Sequence, residues 1–422
     1  MHKNGLPTHV DGIKNQFRSL RFTSNMLDEP GFVYRNVLTI SLTLILLGFV
    51  LYRLIWVTKL DFPIHDGGLF YLIIRQIELG NFALPWSIPY NHENIPFAYP
   101  PFGLYFAAVL DSASGIGPLT ILRIVPMVVS SLSLLAVFLL GRSIFQSIRM
   151  AILTAFIFLF TPLSMMWSTM GGGITRSFGL LFSLLALWQV HRLYLTNQKA
   201  QILPVSIFCA LTILSHPENA WFLFYSIAIF WWFFGRNKSG VINSIIVFLL
   251  TFVMILPWIY VVYSRHGMTI IQPFIESGST LHQNLISLLY YNFTGEFFFP
   301  LIKYLCLIGI VACLFNQRYF LPVWFLATFF LQIRAPEHRA SIVIALLSAV
   351  AISYVVIPVS NILQNERHRR LLLVSFLTLF AIYLPINAQR SLPIYYKPLS
   401  HAELEAIEWV KQYTPENARF AT

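Results

Sequence analysis

Apolar residues in this chain run in long blocks, and polar residues collect in the short gaps between them. Most blocks approach the roughly 20 residues that an α-helix needs to cross a hydrocarbon layer of about 30 Å. The pattern predicts an all-α polytopic membrane protein with about eleven transmembrane helices. They are expected at residues 36–58, 119–141, 149–169, 177–195, 201–215, 220–235, 240–262, 298–316, 319–333, 340–360 and 371–388.

One further apolar block, residues 97–110, is too short for an ordinary span. It is about 14 residues long, opens with Tyr99-Pro100-Pro101 and closes at Asp111. Paired prolines fix the direction of the chain and favour the start of a short helix. We therefore expect an interfacial or re-entrant helix here.

Lysine and arginine are unevenly divided between the two sets of loops. The loops on the side of the N-terminal arm carry Arg142, Arg149, Arg192, Lys199, Arg236, Lys238, Arg318, Arg367, Arg369 and Arg370. The opposing loops after the third span carry only Arg176, Arg265, Arg334 and Arg339. Because cytoplasmic loops are enriched in these residues, we expect a cytoplasmic N terminus and an extracytoplasmic C terminus in a cell membrane. Counting 97–110 as a span would invert this pattern.

This topology divides the chain into three parts. Residues 1–35 form a basic cytoplasmic arm, residues 36–398 a membrane domain, and residues 399–422 the start of an extracytoplasmic domain. Two long outer loops, 59–118 and 264–297, are expected to lie along the interface or to roof a cavity. The first contains an amphipathic stretch at 69–79.

Composition agrees with a membrane protein. Hydrophobic residues make up 57% of the chain and charged residues 11%, against about a quarter charged in soluble domains. The net charge of +11 does not indicate nucleic-acid binding, because the basic residues sit in short clusters between apolar runs. Cys209, Cys306 and Cys313 lie in apolar segments, which favours buried thiols over a disulfide framework.

The first candidate for chemistry is His65-Asp66-Gly67-Gly68, just after the first span. Asp66 could deprotonate an acceptor hydroxyl, or bind a divalent cation together with His65, and the glycines would let the backbone approach a ligand. A solvated turn is the alternative, since Asp and Gly are ordinary turn formers. Glu93 and Tyr99 follow later in the same loop, where a structural role is favoured.

Three further clusters fall on the same side. Gly171 to Gly173 and Arg176 suit a phosphate at a helix start, although a tight turn with an interfacial arginine fits equally well. Burying His216 and Glu218 at a helix end costs free energy unless they are paired or hydrated, which makes them candidate site residues. A purely structural contact between the histidine and the glutamate is the alternative. The cluster with the most ionisable groups comprises Arg334, Glu337, His338 and Arg339. Its arginines and histidine could bind a lipid phosphate while Glu337 orients them; interfacial anchoring by the two arginines is the alternative.

The order and spacing of these features resemble the GT-C superfamily of polyprenyl-phosphate-dependent membrane glycosyltransferases, such as protein O-mannosyltransferases, lipid A aminoarabinose transferases and the oligosaccharyltransferase catalytic subunit. The resemblance rests on Asp66, on Tyr99-Pro100-Pro101 with its short apolar helix, on Arg123 and Gly141-Arg142, on Thr175-Arg176-Ser177, on Ser215-His216-Pro217, and on the tail from Glu408 to Phe420. It covers residues 36–422, and no single motif in it is specific.

The resemblance implies a function. Asp66, with His65 beside it, would be catalytic; Arg176, Arg334, His338 and Arg339 would hold the lipid phosphate of a sugar donor. Glu93, Tyr99, His216, Glu218 and Glu337 would support them. Transfer would be of the inverting type, with a polyprenyl-phosphate sugar and membrane lipids as partners. Residues 171–177 lack the acidic metal ligands of oligosaccharyltransferases, which argues against a metal requirement; a divalent cation at Asp66 is the alternative.

Two other classes share this composition. A transporter or lipid flippase would place ionisable groups and broken helices near the membrane midplane, whereas the span interiors here are nearly free of charge. A non-catalytic scaffold in glycan assembly would carry the same residues without turnover.

Overall fold

A computed structural model describes residues 47–48, 50–51, 66–90, 93–169, 173–268, 281–289, 293–360, 363, 365–395, 401–415 and 418. Within these residues the chain is helical apart from loops and one two-stranded antiparallel hairpin. The predicted span 36–58 falls almost entirely outside them, as do His65, Gly171 and Gly172.

The first outer loop is an ordered structure. Helix α1 (Gly67–Leu79) buries Phe70, Ile73, Ile74 and Ile77 on one face, which confirms the amphipathic helix expected at 69–79. Strands β1 (Ser87–Tyr90) and β2 (Glu93–Pro96) form a hairpin that the sequence did not predict. Helix α2 (Phe102–Ser114) has 13 residues and is about 20 Å long, which is shorter than a membrane span.

The remaining helices form the bundle. They are α3 (Pro118–Phe145), α4 (Ile148–Phe160), α5 (Pro162–Thr169), α6 (Gly173–Thr196), α7 (Ile202–Ile213), α8 (Pro217–Phe234), α9 (Lys238–His266), α10 (Leu281–Leu289), α11 (Leu301–Phe315), α12 (Phe320–Leu331), α13 (Pro336–Ala351, continued to Ser360), α14 (Glu366–Tyr395) and α15 (His401–Tyr413). Of the ten predicted spans after 36–58, nine each coincide with one helix of this series, and 149–169 is divided between α4 and α5. Among the described residues, five helices are long and apolar enough to cross a membrane: α3, α6, α9, α13 and α14.

The predicted span 149–169 is not one helix. It breaks at Thr161, which has an extended backbone (ψ 115°), because the residue before a proline avoids the helical region and Pro162 has no N–H to donate. The chain resumes as α5 (Pro162–Thr169), and α6 begins at Gly173. A Cβ on Gly173 would lie 2.6 Å from the carbonyl oxygen of Ser168, so the close approach of α6 to α5 requires glycine at this position.

Close packing brings several helix starts to one end of the bundle. A Cβ on Gly103, in α2, would lie 3.1 Å from the carbonyl oxygen of Ile174, in the first turn of α6. A Cβ on Gly179, in α6, would lie 2.5 Å from the Nδ2 atom of Asn219, in the first turn of α8. We call this end, where α2, α6 and α8 begin, the cluster end. The opposite end carries Arg142, Arg192 and Arg236 near the other termini of α3, α6 and α8.

Candidate active site

Four helix N termini supply the charged residues of the cluster end. Asp66 is the N-cap residue of α1, and Arg176, Glu218 and Arg339 lie in the first turns of α6, α8 and α13. The N terminus of a helix carries a positive partial charge and free N–H groups, so it attracts anions and disfavours cations. The two arginines therefore stand where the helix dipole alone would not favour them.

Asp66 and Arg176 form the first ion pair. The Nη2 atom of Arg176 lies 3.4 Å from the Oδ2 atom of Asp66, whose side chain is half exposed, whereas that of Arg176 is only 15% exposed. The guanidinium group also stacks on Trp167, 5.3 Å from the ring centroid. Asn219 donates a hydrogen bond of 3.2 Å to the carbonyl oxygen of Arg176. Arg176 is thus held by α1, α5 and α8 at once.

Glu218 and Arg339 form the second ion pair. Their Oε2 and Nη2 atoms are 3.7 Å apart, and their side chains are 15% and 7% exposed. The charges of Arg176 and Arg339 are close enough to affect one another. The buried Nη1 atom of Arg176 and the buried Nε atom of Arg339 find no hydrogen-bond partner among the described residues. Two guanidinium groups therefore keep unused donors inside the cluster.

Tyr99 and His216 complete the buried part of the cluster. Burial raises the pKa of Tyr99 to about 12, and its hydroxyl group lies 3.3 Å from the hydroxyl oxygen of Thr175. The pKa of His216 is held well below its usual value by burial and by the positive charges of Arg176, Arg339 and Arg334. Both side chains are consequently neutral at pH 7, so the arginines supply the positive charge.

His338 contacts Trp167, the residue on which Arg176 stacks. Its Nδ1 atom is 2.7 Å from the carbonyl oxygen of Leu163, to which it donates, and its ring meets Trp167 edge-on at 5.9 Å. The expected phosphate ligand His338 thus contacts α5 and supports the indole ring beneath Arg176.

Glu337 does not pair with the arginine two positions after it. Two successive steps along a helix turn a side chain by about 200°, so Glu337 and Arg339 face opposite sides of α13. Glu337 instead accepts a hydrogen bond of 3.1 Å from Ser287 of α10. The expectation that Glu337 orients Arg339 is therefore corrected: Glu218, from the neighbouring α8, is its carboxylate partner.

Two other expected residues are exposed. Arg334 is exposed in the turn before α13, and its charge reaches His216. Glu93 is exposed at the turn end of the hairpin, and within the described part of the chain no ion pair or hydrogen bond joins it to the cluster.

Trp167, Thr175 and Asn219 are contacts that the sequence did not single out as site residues. Trp167 was hidden because 149–169 was interpreted as one continuous span. Pro162 could have indicated the break, because a proline ends the helix before it. The break at Pro162 starts α5, whose Trp167 indole lies against Arg176. Asn219 and Thr175 adjoin predicted residues, but only the close packing of α2, α6 and α8 shows what they contact.

A metal ion finds an incomplete ligand set in the described residues. No three His, Cys, Asp or Glu side chains among them converge in a way that could hold one. Asp66, the expected ligand, already faces the guanidinium group of Arg176.

No protein-family model and no curated protein matches this chain. Several solved structures do resemble it, among them two of ArnT from Cupriavidus metallidurans. The apo state is 15% identical with a TM-score of 0.51 and covers 87% of this chain and 75% of its own. The state bound to undecaprenyl phosphate is 17% identical with a TM-score of 0.50, covering 84% and 74%. The chain therefore has the all-helical fold of ArnT.

Proposed function

We propose that this protein is a membrane glycosyltransferase that transfers a sugar from a polyprenyl-phosphate donor to an acceptor on the extracytoplasmic face. The observation that carries the proposal is the pair of arginines in the first turns of α6 and α13, one largely buried and the other buried. A cation at a helix N terminus costs about 0.3–1 kcal/mol, and a buried cation with unused donors costs more. A bound anion would remove both costs.

The anion that fits this place is a lipid phosphate. Helix N termini and arginine side chains are the usual protein ligands of phosphate groups. ArnT, which has the same fold, binds undecaprenyl phosphate. The cluster lies at one end of apolar helices, where a phosphate would sit at the membrane surface while its isoprenoid chain stays among lipids.

Asp66 is suited to act as the general base. It lies beside Arg176 with half of its side chain exposed, so an acceptor hydroxyl can approach it. In the proposed single displacement, the acceptor oxygen bonds to the anomeric carbon as its proton passes to Asp66. The bond between that carbon and the phosphate oxygen breaks, and its electron pair stays on the phosphate. Arg176 and Arg339 stabilise the growing negative charge.

Incubation of the purified protein with a panel of radiolabelled polyprenyl-phosphate sugars and membrane extract tests the proposal. We expect label to pass from the donor lipid to an acceptor, and undecaprenyl phosphate to compete with the donor. Binding without any label transfer would favour the scaffold. Movement of intact labelled lipid between the leaflets of a vesicle, again without transfer, would favour the flippase.

A further inference from the structure

Glu218 places a negative charge in the cluster that is proposed to bind phosphate. Its carboxylate lies 3.7 Å from the Nη2 atom of Arg339, and both side chains are largely buried. The separation is longer than the usual 2.7–2.9 Å of a charge-assisted hydrogen bond. The contact therefore leaves Arg339 able to take a stronger anionic partner, at the cost of bringing that anion close to Glu218.

Substrate and product of the proposed reaction differ in charge. The donor is a phosphodiester with a charge of −1, whereas the released polyprenyl phosphate is a monoester of about −1.5 to −2 at pH 7. A carboxylate beside the site repels the second charge more than the first. An arrangement of arginines alone would instead bind the product more tightly than the donor and slow its release.

Resting on the proposed function, we infer that Glu218 is a specificity residue that disfavours the doubly charged product relative to the singly charged donor. When transfer leaves the bonding electron pair on the phosphate and the acceptor proton on Asp66, the new charge faces Glu218 across Arg339. Glu218 then promotes release of the polyprenyl phosphate.

The Glu218→Gln variant tests the sign of this effect. Binding of undecaprenyl phosphate and of its methyl phosphodiester to the purified protein is measured at pH 8, where the monoester is doubly charged. We expect E218Q to bind the monoester about tenfold more tightly than the wild type, with a smaller gain for the diester. In turnover, kcat should fall while KM for the donor falls with it, because product leaves slowly.

Glu337→Gln is the matched control. It removes an equal charge from the first turn of α13, but from a side chain that contacts Ser287 rather than Arg339. We expect this variant to leave the affinity ratio of the two lipids unchanged. The wild type gives a second measurement that needs no substitution, since it should bind the diester at least as tightly as the monoester.

The opposite sign in E218Q would overturn the inference. Weaker binding of both lipids would show that Glu218 only positions Arg339, and a wild type that prefers the monoester would show that Glu218 does not discriminate. Failure of the proposed function looks different: the wild type would then bind neither lipid and transfer no label.

Discussion

The two ends of the bundle use arginine in different ways. At the opposite end, three arginines have a partner within four residues along the chain. Arg192 stacks on Trp188 at 5.4 Å, Arg236 on Trp232 at 4.1 Å, and Arg370 pairs with Glu366 at 2.9 Å. At the cluster end, Arg176 and Asp66 are 110 positions apart, and Arg339 meets Glu218 from another helix.

The difference distinguishes arginines that anchor a helix at the membrane surface from arginines that the fold assembles into a site. An exposed arginine with a partner one turn away needs only a helix, and such pairs are worth a few tenths of a kcal/mol. A buried arginine whose partner comes from a distant segment requires the whole fold to position it and to offset its lost hydration. We therefore expect substitutions of such buried, distantly paired groups to reduce activity, and substitutions of the locally paired arginines to leave it unchanged.

Asp66→Asn should have the largest effect. The amide cannot accept the acceptor's proton, so transfer should fall about 1,000-fold with expression retained. Binding of undecaprenyl phosphate should persist, because the arginines remain. Initial rates with a labelled donor and lipid binding by the same preparation check this, and near-normal turnover would contradict the assignment of Asp66 as base.

Arg339→Ala should come next. It removes one cation from the proposed phosphate site and leaves the carboxylate of Glu218 without its partner, so affinity for undecaprenyl phosphate should drop about 100-fold. Arg236→Ala at the opposite end removes an exposed cation that stacks on Trp232. We expect its lipid affinity to stay within about twofold of the wild type. Equal losses in both variants would refute the distinction between the ends.

Part of this comparison could be predicted from the sequence. Hydrophobic blocks located ten helices because a membrane span requires a minimum apolar length, and lysine and arginine counts placed the charged clusters on one side. Pairing could not be predicted, since it depends on how helices pack. Glu337 precedes Arg339 by two residues, yet the close approach of α8 to α6 and α13 gives that arginine Glu218 instead. The hairpin was missed because its short strands carry no strong alternation.

Trp167→Leu should have a moderate effect. The indole supports the Arg176 guanidinium at 5.3 Å, and a cation–π contact of this kind is worth about 0.5–2 kcal/mol, so lipid affinity should fall about fivefold. Trp188→Leu is the control, since Trp188 lies under Arg192 at nearly the same distance. It should leave lipid affinity unchanged.

A double-mutant cycle separates positioning of Arg176 from a general packing defect. In an Arg176→Ala background, Trp167→Leu should cost no further affinity if the indole acts only through that guanidinium. Additive losses of affinity would mean that Trp167 supports the fold or contacts the lipid itself. The difference between Trp167→Leu and Trp188→Leu would then not report on the support of Arg176.

Glu296→Gln should change stability and leave transfer intact, which tests whether burial alone marks the site. Glu296 is buried before α11, where it accepts hydrogen bonds from Thr294 at 2.7 Å and from the backbone N–H groups of Ile302 and Lys303. Burial raises its pKa to about 7. Because an acid with a raised folded-state pKa binds a proton that the unfolded chain has lost, stability should fall by about 1.4 kcal/mol per pH unit between pH 4.5 and about 7, then level off.

In the Gln variant that slope should disappear from thermal midpoints measured at pH 5, 6, 7 and 8, while sugar transfer at pH 6 stays at the wild-type rate. Glu296 is as buried as Arg339. Its substitution therefore tests whether activity depends on burial of a charged group or on its pairing with a distant helix. A loss of transfer in a folded E296Q protein would mean that a buried carboxyl group outside the cluster is also needed for activity. Retained transfer would assign activity to the groups that α1, α6, α8 and α13 bring together.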